Sequence, residues 1–530
     1  MASRFLVSGG TGNWNSTTNW SATSGGASGA SFPVNGDDVF LDVNSGSTTL
    51  TINTTSACSS IDCTGFTGTL AGASAISVFG NTILSAAMTM TYTGTWTQNG
   101  TASLTSNGLS FTGNLSFSLS SSTKTLVDNW VVLGSFSLVA GNTINGNTLT
   151  ISGSLTVTTG VSTGTTNFIL DGTGTWSGAG TLENNLTINT SGTITFGTTI
   201  LYRAGTLTYT SGTVVTTGNT FTIGTTAPIL NTNGNTTGSG TTTSSTGINF
   251  NNFTCNISFT NNSALCVIGT FSMNPGGGAA PSVSSSTVYI QGTYSQTGTA
   301  ALGSSLFIMN GTGSLTTSTN AIQNDFTINT SGTITFGSAI TFSPSSSKTF
   351  TYTAGTVVTT GNTFTVGTAC VLNTAGIIFN NFSASVQGII TNNSLLTVSG
   401  ILNYTTTGVG VTFAGTTGWT CASFTCATAG LTHQFTSGLT YAITSDITIT
   451  GATNASRIIL KSTTGGSQAI FTLGSSATQL IGYVNATDID SSTGQKIYSL
   501  NGTLSNATNW AQLNANLIGT GGASSYTFVN

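Results

Sequence analysis

An eleven-residue phrase occurs twice in this chain, and the repeat limits the folds that the chain can adopt. The phrase TINTSGTITFG runs from Thr187 to Gly197 and again from Thr327 to Gly337. A second phrase follows each copy: GTVVTTGNTFTIGT starts at Gly212 and GTVVTTGNTFTVGT at Gly355. Self-similarity on this scale indicates a duplicated block of structure.

The sequence around the repeats alternates apolar residues with Ser or Thr, as in NTLTISGSLTVTTG from Asn147 to Gly160. A period of two is typical of β-strands. Gly, Asn and Ser interrupt the alternation every few residues and supply the conformations that tight corners need. No helical periodicity accompanies it, so the pattern predicts an all-β fold with frequent corners.

The spacing between the two blocks is not constant. It is wider at the repeated phrase than towards the end of the blocks, where GINFNNF, from Gly247, aligns with GIIFNNF, from Gly376. A solenoid absorbs such insertions at any corner, because each turn contacts only its neighbours. The drift therefore favours a solenoid over a pair of sandwich domains.

We predict a right-handed parallel β-helix with capped ends and an internal duplication on the order of 140 residues. Coils of roughly 20 to 25 residues would number about twenty. Asn and Ser at the corners should hydrogen-bond along the axis, and apolar side chains should stack in columns inside. Blocks at about 166–270 and 305–400 should superpose, with inward-pointing phenylalanines at Phe168, Phe307, Phe253 and Phe382.

The ends of the chain combine tryptophan with charged residues, and charge is nearly absent from the middle. A rod of stacked strands has two open edges that must be covered. The expected organisation is an N-terminal cap over residues 1–50, a shaft over 51–480, a last coil and C-terminal cap over 481–510, and a tail over 511–530. The residues predicted to close the ends are Trp14, Trp20, Asp37, Asp38, Asp488, Asp490 and Trp510.

Composition excludes several classes of function. Charged residues are 3% of the chain, against roughly 25% in an average soluble protein. The seven Lys and Arg stand singly and the net charge is -4, so no nucleic-acid surface is expected. No apolar run reaches the length of a membrane helix, and the opening lacks the core of a secretory signal. Seven cysteines fit free thiols in a reducing cytoplasm better than a disulfide framework.

Candidates for catalysis are few. Cleavage of a glycosidic bond usually needs two carboxylates, and Asp171 and Glu183 are separated by about half a coil. They align with Asn310 and Gln323 of the second block, so turn and surface roles are favoured. His433 is the only histidine, without a nearby carboxylate in GLTHQFTSG, which argues against acid–base catalysis. We therefore predict no catalytic residues and no enzyme activity.

Two cysteine pairs share one spacing, in CSSIDC (58–63) and CASFTC (421–426). Residues five apart on one strand face opposite sides, so shared metal binding would need an intervening turn. Cys255 and Cys266 align with Ala384 and Thr397 of the second block, as small core residues would. Neither a metal nor a cofactor is expected. Ice binding would need a flat array with the same Thr-x-Thr step in every coil on one face. Such an array is not expected, because the position of the Thr-x-Thr step differs from one strand to another.

The two ends carry a resemblance. The stretch SRFLVSGGTGNWNSTTNWSATSGGASGASFPVNGDDVFLD, residues 3–42, resembles the opening of a group of tailed-phage virion proteins. The stretch VNATDIDSSTGQKIYSLNGTLSNATNW, residues 484–510, is similar to the last coil of many parallel β-helix surface proteins. Between these stretches the chain is similar only in composition and strand rhythm. The resemblance implies a virion β-helix protein and does not identify the part of the particle.

Together these inferences predict a non-enzymatic structural protein of a tailed-phage virion: a head or tail fibre, spike or decoration protein, with adhesion as an added role. It would assemble in the host bacterial cytoplasm and remain in the virion. Expected partners are other virion proteins, a host-surface glycan if the protein is adhesive, and further copies of the chain in a homotrimer with uncharged contacts. Alternatives are a polysaccharide-degrading tailspike and a bacterial surface adhesin. The apolar tail should dock on a neighbouring chain or on the particle, or fold back over the last coil.

Overall fold

The structure is a computed structural model that describes residues 2–9, 11–139, 141–224, 226–274, 280–298, 303–318, 320–344 and 347–513. The chain is all-β, with about 1% helix, and forms a parallel β-solenoid of about 22 turns. The predicted β-helix and its approximate number of coils are therefore confirmed. The chain divides into two compact units, residues 1–314 and 315–530.

Each early turn of the first unit contains three short strands separated by corners. Equivalent residues of successive turns pair in parallel register, for example Thr82 with Leu104 and Leu126 with Gly146. The separation in sequence between paired residues is at the lower end of the predicted coil length. Parallel pairing at this interval places each side chain above its counterpart, with about 4.8 Å between turns.

The early strands of the first unit lie on three faces. The first face contains Trp20–Ser21, Ser3–Leu6, Asp38–Phe40, Ser60–Asp62, Thr82–Ile83, Ala102–Thr105, Thr123–Leu126 and Thr143–Gly146. The second face begins with Thr11–Asn13, Thr49–Ile52, Thr69–Gly72 and Thr89–Met90. The third face begins with Ser56–Cys58, Ile76–Val78, Thr95–Gln98, Asn114–Phe117, Phe136–Leu138, Leu155–Val157 and Gly174–Ser177.

Further strands continue these faces, and two short 3-10 turns, Thr17–Asn19 and Val43–Ser45, lie near the start of the chain. The other strands of the first unit are Ser110–Phe111, Trp130–Val132, Leu149–Ile151, Val161–Ser162, Phe168–Leu170, Thr181–Leu182, Leu186–Phe196, Ile200–Tyr202, Thr206–Val215, Thr220–Ile223, Ile229–Asn231, Thr243–Ser244, Asn249–Phe250, Asn252–Cys255, Phe259–Asn261, Leu265–Val267, Thr270–Met273, Val283–Ser285, Val288–Ile290, Thr293–Gln296 and Phe307–Met309.

The second unit has the same pattern with longer strands, because segments that form separate strands in the early turns are joined there through a bend. Gly313–Thr317 lies at the boundary between the units. The strands of the second unit are Phe326–Phe336, Ile340–Phe342, Lys348–Val358, Thr363–Val366, Cys370–Asn373, Ile378–Phe379, Asn381–Ala384, Gly388–Asn392, Leu396–Tyr404, Val411–Gly415, Trp419–Cys426, Thr432–Phe435, Thr440–Thr450, Ile458–Ser462, Ala469–Leu473, Thr478–Gly482, Val484–Asp490, Ile497–Leu500, Thr503–Thr508 and Trp510–Leu513.

Columns of like side chains form the core, as predicted. In the first unit Phe221, Phe253, Phe271 and Tyr294 occupy equivalent positions of successive turns. Their ring centroids are 5.7, 5.7 and 6.0 Å apart, and the ring planes lie within 25° of parallel. Complete burial of one such ring stabilises the fold by about 1.5–3 kcal/mol. The column therefore ties each turn to the next.

Corner asparagines bond along the axis, also as predicted. The side-chain oxygen of Asn114 accepts a hydrogen bond from the backbone N–H of Ser135 (2.8 Å), one turn later. The same contact joins Asn185 to the N–H of Thr206 (2.8 Å). Backbone groups at corners fall outside the strand ladders, so these side chains satisfy donors that would otherwise lack a partner.

The duplicated blocks share their irregularities as well as their strands. Leu186–Phe196 and Phe326–Phe336 each pair with the strand of the next turn through two register shifts at matching positions. The hydroxyl of Tyr209 donates to the carbonyl of Gly212 (2.8 Å), and that of Tyr352 to the carbonyl of Gly355 (2.6 Å). The four phenylalanines predicted to point inward, Phe168, Phe307, Phe253 and Phe382, are at most 1% exposed.

One loop explains most of the drift between the blocks. Leu230 and Leu372 hold equivalent positions, opposite Leu207 and Phe350, and the spacing between the blocks shortens only after them. The extra residues of the first block are 233–246, a corner loop whose Thr243–Ser244 segment pairs antiparallel with Val214–Val215. The second block replaces this loop by a tight turn from Thr374 to Ile377. Insertion at a corner leaves the flanking turns in register, as a solenoid predicts.

Candidate functional site

The N-terminal tryptophans lie in the core of the first turn. Trp14 and Trp20 are 1% and 0% exposed, with ring centroids 5.2 Å apart in an edge-to-face arrangement. The indole N–H of Trp14 donates to the carbonyl of Pro33 (3.3 Å), and that of Trp20 to the carbonyl of Trp14 (2.7 Å). The two rings thus hold residues 14–33 against the end of the solenoid.

Asp37 and Asp38 fix the same region through hydrogen bonds. Asp37 is 7% exposed and accepts from the backbone N–H of Ala2 (3.1 Å), and Arg4 lies 3.7 Å from its carboxylate. Asp38 accepts from the hydroxyl of Ser60 (2.7 Å), one turn later. Both carboxylates are engaged with the cap or with the turn beside it.

The C-terminal residues make equivalent contacts in the second unit. Trp510 is 6% exposed, pairs with Ile497, and donates its indole N–H to the hydroxyl of Ser491 (2.9 Å). Asp488 accepts from the backbone N–H of Gly466 (3.1 Å) and from the amide of Asn506 (2.6 Å), so it ties three turns together.

Asp490 binds the backbone N–H and the hydroxyl of Ser492 and forms a local turn. The strand that begins at Trp510 continues to Leu513, past the predicted start of the tail. The remainder of the predicted tail, residues 514–530, lies outside the described residues.

The two carboxylates considered for glycoside cleavage have separate structural partners. Asp171 follows the strand Phe168–Leu170 and accepts from the hydroxyl of Ser152 (2.8 Å). Glu183 follows Thr181–Leu182, on another sheet, and forms an ion pair with Arg203 at 3.2 Å. Each contact links one turn to the next.

His433 is fully buried in the second unit. Its Nδ1 accepts from the backbone N–H of Val411 (3.1 Å), and its Nε2 lies 3.2 Å from the thiol of Cys426. Burial lowers the pKa of His433 to about 4, so the ring is neutral at pH 7. A neutral ring closed off from solvent serves packing rather than proton exchange with a substrate.

The cysteine pairs differ from the prediction that residues five apart face opposite sides. Cys58 and Cys63 are both buried, because a corner separates the strand Ser56–Cys58 from Ser60–Asp62. Cys421 and Cys426 share one strand, and a register shift after Cys421 turns both inward. Burial raises the pKa of all four thiols, to about 12 for Cys426, so the thiols are protonated. Among the described residues no three His, Cys, Asp or Glu side chains are placed to hold a metal ion.

Lys124 was not singled out by its sequence context. Its side chain points into the core of the first unit and is 0% exposed. The ammonium donates to the carbonyl of Ser118 (3.1 Å) and to the amide oxygen of Asn142 (2.9 Å), and burial lowers its pKa to about 8. The only indication in the sequence was that Lys124 occupies an inward-pointing position in the alternating segment TKTL.

The third face of the first unit presents a regular array of uncharged polar groups. Five successive turns carry the pattern polar–apolar–polar, and the apolar members Trp96, Leu115, Phe136, Leu155 and Trp176 are buried. The outward pairs are Thr95 and Thr97, Asn114 and Ser116, Ser135 and Ser137, Ser154 and Thr156, and Thr175 and Ser177. The outward positions are polar in every one of these turns, but only Thr95 and Thr97 form a Thr-x-Thr step, so that step does not recur from turn to turn on this face. Serine and threonine are mixed there, with one asparagine, so the face lacks the uniform methyl groups of a threonine array.

Comparisons with protein-family models, with curated proteins and with solved structures found no match. Among the described residues no helix is long and apolar enough to cross a membrane.

Proposed function

We propose that this protein is a non-enzymatic structural component of a tailed-phage virion, a fibre, spike or decoration protein. One observation carries the proposal: residues 3–42, which resemble the openings of phage virion proteins, pack onto a nearly uncharged solenoid. Stacked turns extend a protein without a new core at each step. The residues considered for catalysis, Asp171, Glu183 and His433, are engaged in contacts within the solenoid.

The third face of the first unit supports the proposed homotrimer. Its ten outward positions carry no charge, so a second copy could lie against them without burying an unpaired ion. Hydroxyl and amide groups can exchange their hydrogen bonds to water for bonds across such a contact. Other virion proteins, and a host-surface glycan if the protein is adhesive, remain the proposed partners.

Purified particles provide the test of the proposed role. We expect mass spectrometry to find the chain in particles after extensive washing, and antibody labelling in electron micrographs to place it at a fixed position. If washed particles lack the chain while the infected cell contains it, the proposal is wrong.

The tailspike alternative is tested by chemistry. Purified protein is incubated with capsule from the host, and reducing ends and unsaturated sugars are measured. We expect no release above a heat-denatured control. Release that disappears in Asp171→Asn or Glu183→Gln would replace the structural proposal by a catalytic one.

A further inference from the structure

The N-terminal cap covers two of the three faces of the first turn. On the first face the strand Ser3–Leu6 is covered by Trp20–Ser21, which pairs antiparallel with it. On the second face the side chain of Asn19 lies over Gly12, where a Cβ would collide with it, and donates to the carbonyl of Asn13 (2.7 Å). Both edges are thus closed against further strands.

The third face has no such cover. The first strand there is Ser56–Cys58, and within the described residues it pairs only with Ile76–Val78. The N–H of Ser56 and the carbonyl of Cys58 bond to residues of that neighbouring turn, at 2.9 and 3.1 Å. Alternate residues of a strand direct their backbone groups to opposite edges, so the N–H and carbonyl of Ala57 point away from it. Neither group has a hydrogen bond to any described residue.

This open edge borders a groove of about 340 Å³, which we call the edge groove. Its walls include Trp14 and three exposed apolar side chains: Phe32 (38% exposed), Val34 (51%) and Phe79 (39%). No charged side chain lines it. An unpaired strand edge beside apolar pockets is the arrangement that binds an added strand, with backbone hydrogen bonds for affinity and pockets for alternate side chains.

We propose that the edge groove binds residues 525–529 (SYTFV) of a second copy of the chain as an added strand. In an extended strand Tyr526 and Phe528 lie on the same side, so both rings can enter the groove while the backbone pairs with Ala57. Residues 514–530 have no charged side chain, and the described lining of the groove has none either. A chain of this length can reach roughly 55 Å when extended, far enough to leave its own last turn.

The contact joins different surfaces of the two copies, so repetition adds copies end to end unless a ring closes. It uses the open edge at the first strand of the third face, Ser56–Cys58, and not the array of uncharged outward side chains that begins at Thr95. It does not rest on the proposed virion role.

Sedimentation of the full-length protein over a range of concentrations tests the proposal. We expect concentration-dependent association that weakens by about tenfold or more when a central contact is removed. Val34→Ser and Phe528→Ser should each do so. Ala57→Pro should do so as well, because proline removes only the outward N–H of this edge strand. The matched control is Val43→Ser, the same change at a side chain 72% exposed and outside the groove.

A peptide of residues 519–530 provides a second measurement. It should bind full-length Phe528→Ser protein and should not bind the Val34→Ser/Phe528→Ser double variant, with melting temperatures confirming that both are folded. Association that is equal in Val34→Ser and Val43→Ser overturns the groove as the site. Loss of association in Val34→Ser but not in Phe528→Ser would show that residues 525–529 are not the segment that binds the groove. A monomer at every concentration overturns the contact between copies.

Discussion

His433 makes the stability of the second unit depend on pH. Burial lowers its pKa from the ordinary 6.5 to about 4. Between these values the unfolded chain binds a proton that the folded chain does not, so stability rises with pH across this window. The contribution is fully present above pH 6.5 and is lost as the pH falls towards 4. The loss amounts to about 3 kcal/mol over the whole window.

The variant His433→Gln isolates this effect, because His433 is the only histidine and both proteins keep every carboxylate. We expect the melting temperature of the wild type to fall more steeply than that of the variant between pH 6.5 and pH 4.5. Parallel curves in this range would contradict the buried, neutral state of the ring.

Trp14 should contribute strongly to the stability of the N-terminal cap. The ring is 1% exposed and packs edge-to-face on Trp20. Trp14→Ala should destabilise the cap by about 3–5 kcal/mol, because it leaves a cavity and removes the aromatic pair. Hydrogen exchange of residues 2–40 measures the loss, and the exposed Val43→Ala serves as the control with little effect. Unchanged exchange in Trp14→Ala would argue against a capping role.

At the residue scale the sequence identified side chains of unusual type and missed those whose surroundings are unusual. Trp14, Trp20 and Trp510 stood out beside the acidic residues near the ends of the chain, and all three are buried. Lys124 looked like any isolated lysine, because its partners Ser118 and Asn142 lie at corners that local sequence does not bring together.

At the scale of strands and corners, the duplication could be predicted from the sequence because alternation fixes which side chains point inward. The backbone path at each corner could not be predicted. The bend that turns both Cys421 and Cys426 inward depends on pairing with neighbouring turns, which a linear pattern does not contain. The regular polar face likewise becomes visible only when turns of slightly different length are stacked.

The corner loop of residues 233–246 should be replaceable. The second block closes the same corner with one residue, Ala375, in its place. A chain with this loop replaced by a single Ala should keep its β-sheet circular dichroism and cooperative melting, because a corner insertion leaves the turns in register. Uncovering Val214–Val215 should destabilise the variant by about 1–3 kcal/mol.

The control is the reciprocal exchange, which inserts residues 233–246 in place of Ala375. Both chains should remain soluble. Collapse of the β-sheet signal in the shortened chain alone would show that the loop holds the register of its own block.

At the scale of the whole molecule, the shortage of charge limits how copies can associate. Charged surfaces steer association and make it sensitive to salt. A contact through Ser, Thr and Asn has no contribution from charge–charge interactions. The proposed trimer should therefore have the same stability at low and high ionic strength. Light scattering on the Phe528→Ser variant, which lacks the proposed edge-groove contact, should give three times the 53.3 kDa of one chain at both.

The uncharged third face of the first unit is the surface that the trimer would use, and a single charge tests it. Ser137 lies in the middle of the array, and Ser137→Lys would bury an ammonium in the contact without a partner. In the Phe528→Ser background, which removes the edge-groove contact, we expect Ser137→Lys to dissociate at concentrations where the parent protein is trimeric. The matched control is Ser103→Lys, an outward serine on the first face. If the trimer forms with Ser137→Lys but not with Ser103→Lys, the contact lies on the first face instead. A monomeric wild type would contradict the trimer proposal.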